Sequence, residues 1–174
     1  MVESNPWLMP PEKRVYYFKK MNQSSNRNYH NRPPEEFADK VVQIKRVSKK
    51  TKGGNQISFT ALVVTGDKKS RVGVGLGKAK NVSDAIQKAI KRGRRSMITV
   101  SINQGTISST VKIKFKGALV LIRPGKKGSG IIAGGPVRAV VELAGIKDIT
   151  SKIIGSKNKA INVWATFKAL SKLT

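Results

Sequence analysis

The sequence predicts an α+β protein in two halves, preceded by an extended arm. Three observations carry this reading. Segments of period-two alternation recur between residues 40 and 75 and again between 97 and 122. Each group is followed by a stretch whose apolar residues fall three and four apart. The first 36 residues instead hold five of the seven prolines, many Asn residues and a scatter of aromatics, among them the patch Val15-Tyr16-Tyr17-Phe18. The expected organisation is an arm over 1–36, a βββα half over 37–95 and a second α+β half over 96–174.

The first half opens with a strand over Lys40–Val47, with Val42 and Ile44 on one face and Gln43 and Lys45 on the other. Ser48 to Asn55 reads as a polar turn cluster, because small and polar residues surround Gly53-Gly54. Gln56–Thr65 is a second strand rich in β-branched residues, Gly66-Asp67-Lys68-Lys69 a turn, and Arg71–Gly75 the start of a third strand. A helix follows. Val82, Ala85, Ile86, Ala89, Ile90 and Gly93 give it one apolar or small face, and Asn81 is placed to cap it with Asp84 in the first turn.

In the second half Met97–Ile102 alternates, as do Val111, Ile113 and Phe115, with Lys112, Lys114 and Lys116 on the opposite face. Ala118–Ile122 is a continuous apolar run, consistent with a more buried strand. Gly125–Gly135 is glycine-rich. Pro136 then fits the first turn of a helix presenting Val137, Val140, Val141 and Ala144, which Gly145 stops. Lys147–Ile154 is compatible with a strand or a short helix. Asn158 is placed to cap a last helix running to Leu170 and burying Ile161, Trp164 or Ala165, and Phe167.

Charge bounds the function. Lys and Arg total 35 against nine Asp and Glu, a net of +26. The half over 37–95 carries +13 and the half over 96–174 carries +11, whereas the arm is close to neutral. Such an excess is self-repulsive unless a polyanion offsets it. No cysteine is present, which excludes disulfides, thiolate metal sites and a cysteine nucleophile. A single histidine, His30 in the arm, excludes a multi-histidine cage and leaves little for acid–base chemistry. The acids are scattered, so no catalytic site, metal site or cofactor is expected. The longest apolar run, Ala118–Ile122, is far short of a membrane span, and no secretory signal is read at the N-terminus.

Two glycine-rich segments invite nucleotide readings. In Gly73-Val74-Gly75-Leu76-Gly77-Lys78 the third glycine stands one position early for a dinucleotide fingerprint, and Ala79 stands where a P-loop needs Ser or Thr. The alternative is that these glycines let backbone approach backbone, or a phosphate, closely. Gly128–Gly135 is open between a flexible turn feeding a helix and a contact to RNA or to a neighbouring protein.

The cations therefore carry the functional reading. The candidate RNA contacts are Arg46, Lys49, Lys50 and Lys52 around the first turn, then Arg71, Lys78 and Lys80. Lys91, Arg92, Arg94 and Arg95 add a cluster on the helix, and Lys126 and Lys127 stand in the glycine-rich segment. Aromatics are only 6% of the chain and none alternates with basic residues on a strand. That argues against a base-stacking platform and for recognition of RNA backbone and shape.

Val41–Gly54 (VVQIKRVSKKTKGG), Phe59–Val64, Arg71–Ala79 and Gly128–Gly145 (GSGIIAGGPVRAVVELAG) together closely resemble the family of the fifth protein of the small ribosomal subunit. The resemblance covers about Asp39 to Leu170, in order and at matching spacing, and departs at Asn55, Pro136 and Lys159. It implies a first half similar to the double-stranded-RNA-binding fold and a second half with a left-handed βαβ crossover. It implies assembly on small-subunit ribosomal RNA, in a bacterial cytoplasmic or an organellar ribosome. It carries Val47, Ser48, Lys49, Lys52, Gly53 and Gly54 over as contacts near the head–body neck. Gly128, Gly130 and Arg138 carry over as a boundary with the fourth small-subunit protein, where decoding accuracy is affected. The eighth small-subunit protein is implied as a further neighbour, and the messenger channel as nearby. A free-standing double-stranded-RNA-binding factor is the alternative function.

Overall fold

The computed structural model describes residues 37–173; the arm, its aromatic patch and His30 lie outside the described residues. The first sheet has the order β1-β2-β3-β4, from Ala38–Thr51, Gly54–Gly66, Arg71–Ala79 and Met97–Thr99. All its pairings are antiparallel. The second has the order β5-β6-β8-β7, from Val111–Phe115, Ala118–Pro124, Ile149–Gly155 and Ile131–Ile132. Its one parallel pairing joins β7 to β8 through helix α2 (Gly135–Ala144), a βαβ connection. Helix α1 (Val82–Arg95) follows β3, and α3 (Lys159–Ser171) closes the chain.

Helix α1 sits on the first sheet through glycine. Its buried stripe is Ala85, Ala89 and Gly93, one small residue per turn. Opposite lie Gly73, Gly75 and Gly77, which share one face of β3 because strand side chains alternate. A Cβ at Gly73, Gly75 or Gly77 would overlap the carbonyl oxygen of Gly93, Ala89 or Ala85 respectively. Of the two readings of this motif, the close approach of backbone to backbone is the one realised.

The other face of the first sheet, with Leu62, Val64, Val72 and Val74, enters a core shared with the second half. Helix α2 supplies Val137, Val140, Val141 and Ala144 to that core, as its periodicity predicts, and packs against β1, β2, β3 and α3. Helix α3 packs in turn on β5 and β6. The β2–β3 turn docks on the end of α2: the Lys68 N–H donates to the Leu143 carbonyl at 3.0 Å. Gly145, at φ +88°, ends that helix where a Cβ would overlap the Lys68 carbonyl.

Several elements differ from the sequence expectation. The Ser48–Asn55 cluster is not a loop. Both strands run through it, and only Lys52-Gly53 turns the chain between Thr51 and its partner Gly54. A bulge between Val41 and Gln43 breaks the alternation of β1, so Val42 is half-buried while Ile44 is 44% exposed. β3 runs on through the glycine motif to Ala79. β4 pairs with β3, so the first sheet takes in residues beyond Arg95. Lys116 lies in a turn at φ +50° rather than on the face of β5. Lys147–Ile154 resolves into β8. Helix α3 is rotated from its expected phase. It buries Asn162, Val163, Ala165, Thr166, Ala169 and Leu170, and leaves Ile161, Trp164 and Phe167 half-buried. Small residues let the helix lie close to β5 and β6, and the two rings meet edge-to-face at its flank, with centroids 5.8 Å apart.

Gly75→Ala is therefore expected to destabilise the protein by about 1–3 kcal/mol or more, because backbone on both sides must move. Gly53→Ala, which meets nothing within 4 Å, is expected to stay within about 0.5 kcal/mol of the parent. Urea unfolding midpoints of the two variants check both.

Candidate nucleic-acid interface

The first sheet is three strands wide only as far as Phe59, which pairs with Arg46 on one side and Ala79 on the other. Beyond that row β1 and β2 continue alone as a two-stranded ribbon, from Val47 opposite Ser58 to Thr51 opposite Gly54. Arg46, Ser48, Lys49, Lys50, Lys52, Gly53 and Gly54 are exposed there, and Val47 is half-buried. No carboxylate lies on the ribbon. A basic finger closed by a tight turn can set several cations against a nucleic-acid phosphate backbone at once.

Register adds residues to this end of the sheet. Lys45, Thr60 and Lys78 form one row across β1, β2 and β3, so Lys78 stands beside the ribbon's base with Lys45. Sequence reasoning does not single out Lys45; its link to Lys78 depends on a strand register that local patterning does not specify. Lys80 follows β3 directly, before Asn81, which stands at the N-cap position of α1 but makes no side-chain cap hydrogen bond, its amide donating to Asp84 at 3.3 Å instead.

Arg71 and Arg94 lie at the other end of β3, roughly 25 Å away at about 3.3 Å per residue. Both are exposed but have partners within the chain. Arg71 Nε donates to Asp67 at 2.9 Å, Arg94 Nη2 donates to Asp39 at 3.2 Å, and both guanidiniums sit over the Phe37 ring, at 5.2 and 5.7 Å. Arg92 Nη1 donates to the Leu76 carbonyl at 2.7 Å. The structure thus divides the predicted cations. All of these cations are exposed, but Arg71, Arg92 and Arg94 also have hydrogen-bond partners within the chain, which draw their guanidiniums onto the fold.

The glycine-rich segment is a tethered loop. Gly128 and Gly130 adopt φ +84° and +71°, and Asp148 accepts the Gly130 N–H at 2.8 Å. Lys126 and Lys127 are exposed on the same loop. Arg138, one turn into α2, donates to the Ile131 carbonyl at 3.1 Å. The candidate RNA contacts Lys126 and Lys127 and the candidate protein contacts Gly128, Gly130 and Arg138 therefore share one neighbourhood.

Three carboxyls are held below their ordinary range. At Asp67 burial acts to raise the pKa, but it is outweighed by N–H donors from Ser70, Lys69 and Arg71 and by the Arg71 guanidinium. Glu142 is lowered first by its 2.6 Å hydrogen bond from Lys40. Asp148 is lowered by the N–H of Gly130, then that of Gly128, with Lys147 and Lys127 nearby. Among the described residues no three His, Asp or Glu side chains group as metal ligands, and no helix is long and apolar enough to cross a membrane.

What the fold and surface define is a basic α+β binding protein that keeps its carboxylates for internal work and turns cations outward. Comparison with known proteins makes the class specific. Residues 37–101 match the family described as Ribosomal protein S5, N-terminal domain, and residues 113–174 match Ribosomal protein S5, C-terminal domain. A relative from Treponema pallidum, named Small ribosomal subunit protein uS5, is 52% identical over 140 residues, covering 80% of this chain and 81% of its own. Relatives of the same name from Mycoplasmopsis agalactiae and Campylobacter jejuni are 50% and 48% identical. They cover 87% and 80% of this chain, and 66% and 95% of their own. The chain belongs to the ribosomal protein S5 family, and is a structural, non-enzymatic protein of the small ribosomal subunit.

The lowered carboxyls set a pH dependence. Each folded pKa lies below its ordinary value, 3.8 for Asp and 4.5 for Glu, so each contributes stability above that value and loses it as pH falls through the folded pKa. The thermal midpoint is expected to be insensitive to these groups above about pH 5 and to fall progressively below about pH 4. Asp67→Asn is expected to lower the midpoint at neutral pH and to flatten that acid fall, as scanning calorimetry against pH will read.

Proposed function

We propose that the β1–β2 ribbon anchors this chain on small-subunit ribosomal RNA, with Arg46, Lys49, Lys50 and Lys52 neutralising phosphates and Gly53-Gly54 letting the turn come close to the backbone. Lys45, Lys78 and Lys80 extend that surface at the ribbon's base. The observation that carries the reading is the ribbon itself: a paired, cation-rich projection with no carboxylate, its cations exposed among the described residues. In the family resemblance this element lies near the head–body neck. The assignment to neck geometry rests on that likeness, as does proximity to the messenger channel. The bacterial relatives support a cytoplasmic ribosome as its place.

The loop around Gly128 and Gly130, with Arg138, is the proposed boundary with the fourth small-subunit protein, through which the chain affects decoding accuracy. The exposed Ile132 beside it, on the edge strand β7, supports a protein rather than a solvent neighbour. The eighth small-subunit protein is the proposed neighbour elsewhere on the second half.

Lys49→Gln/Lys50→Gln/Lys52→Gln is expected to weaken binding to transcribed small-subunit ribosomal RNA about tenfold or more. The same variant is expected to reduce the slope of log affinity against log salt by about 1 for each phosphate no longer neutralised. Equal binding of the parent chain to arbitrary RNA duplexes would favour the free-standing duplex-binding alternative. Gly130→Arg and Arg138→Ala are expected to change misreading in a reporter assay; unchanged misreading in both refutes the boundary role.

A further inference from the structure

A second cationic site lies on the other sheet, away from the ribbon. β5 is an edge strand, and the last turns of α3 run beside it. Between them is a groove of about 380 Å³ lined by Lys112, Ile113, Lys114, Lys168, Ser171 and Lys172. Four cations from two elements more than 50 residues apart in sequence thus converge on one open groove.

No acidic side chain of the second half offsets them. The half has two, Glu142, bonded to Lys40, and Asp148, bonded to the Gly130 N–H. Lys168 and Lys172 complement the carbonyl end of α3, but Lys112 and Lys114, on β5, have no such role. The Lys168 ammonium is held 4.5 Å from the centroid of the Phe115 ring. Lys116 lies 5.8 Å from the same ring, so the aromatic beside the groove is already engaged by cations and is not free to stack on a base.

We propose that this groove binds the phosphodiester backbone of a second segment of ribosomal RNA, without base recognition. The chain would then be pinned at two separate points, one on each sheet. The inference rests on the RNA-binding reading above, yet fails independently of it, because the two sites share no residue.

The test compares two variants of the full chain on transcribed small-subunit ribosomal RNA. One carries Lys112→Gln, Lys114→Gln, Lys168→Gln and Lys172→Gln. The other carries Lys147→Gln, Lys152→Gln, Lys157→Gln and Lys159→Gln, an equal loss of charge elsewhere on the second half. The groove variant is expected to reduce the salt slope by about 2–4 and the matched variant by less than about 1. Equal changes, or no change in the groove variant, overturn the site. Lysine acetylation of the unsubstituted protein in intact small subunits supplies a readout independent of folding. The four groove lysines are expected to be protected and to become reactive after nuclease digestion. Free reactivity in the intact subunit, or protection that survives digestion and so marks a protein neighbour, overturns it as well. Ribbon lysines that stay reactive while the groove lysines are protected would sink the ribbon reading alone.

Discussion

The seat of α1 on β3 governs the layout of the first half. Three glycines on one face of the strand meet three backbone carbonyls of the helix, at a distance where no Cβ fits. Packing that tight fixes the helix along β3 from Gly73 to Gly77, and with it the part of the sheet that is three strands wide. Where β3 ends at Ala79, the remaining paired residues of β1 and β2 have no third strand among the described residues. The ribbon is what extends past the end of the glycine seat. It is held by its own ladder of backbone pairing and by a base that belongs to the three-stranded part of the sheet. A second close approach, of Gly145 to the Lys68 carbonyl, joins the β2–β3 turn to the end of α2 and so ties the two halves together.

Charge is the complementary constraint. Among the described residues 29 Lys and Arg face five Asp and Glu, and all five acids are engaged inside the fold. Asp39 takes Arg94, Asp67 takes Arg71 and three N–H groups, Asp84 accepts from Asn81, Glu142 takes Lys40 and Asp148 takes Gly130. They fix turns, a helix start, a loop and the joint between halves. Exposed pairs such as Lys40–Glu142 are worth about 1 kcal/mol or less, so their value lies more in geometry than in stability. The surplus cations cannot be neutralised by the chain itself. A protein of the small ribosomal subunit has a polyanion at hand for that task, and the fold divides its cations into those paired with groups of the described residues and those simply turned to solvent.

Most elements are legible in the sequence because the chain states them locally. The small-residue period of α1, the Pro136 start and Gly145 stop of α2, and the Asn158 cap of α3, whose side chain accepts the Ala160 N–H at 3.1 Å, each depend on residues within a turn or two. What is illegible depends on partners far along the chain. Ser48–Asn55 has turn composition, yet antiparallel pairing makes most of it strand. The phase of α3 is set by the elements it packs on, β5, β6 and α2, with Ala165 and Ala169 buried while Trp164 and Phe167 stay half-buried. Arg71 and Arg94 look like any other surface cation in sequence; Phe37, Asp39 and Asp67 claim them only once the sheet has formed. The groove beside β5 is half visible, in that Lys112 and Lys114 share a face, but nothing local foretells that Lys168 and Lys172 meet them. The family motifs are specific enough to reach the family without the fold.

On the proposed reading ribosomal RNA, and not a protein neighbour, holds this chain through its surplus cations. The most direct test sediments a cell lysate through a magnesium-containing gradient, follows the chain by mass spectrometry, and repeats the run after a high-salt wash and after limited nuclease digestion. Co-migration with small subunits that survives the wash and disappears when the RNA is cut is the expected result. A position at the top of the gradient, or continued association with the other small-subunit proteins after the RNA is gone, would contradict it.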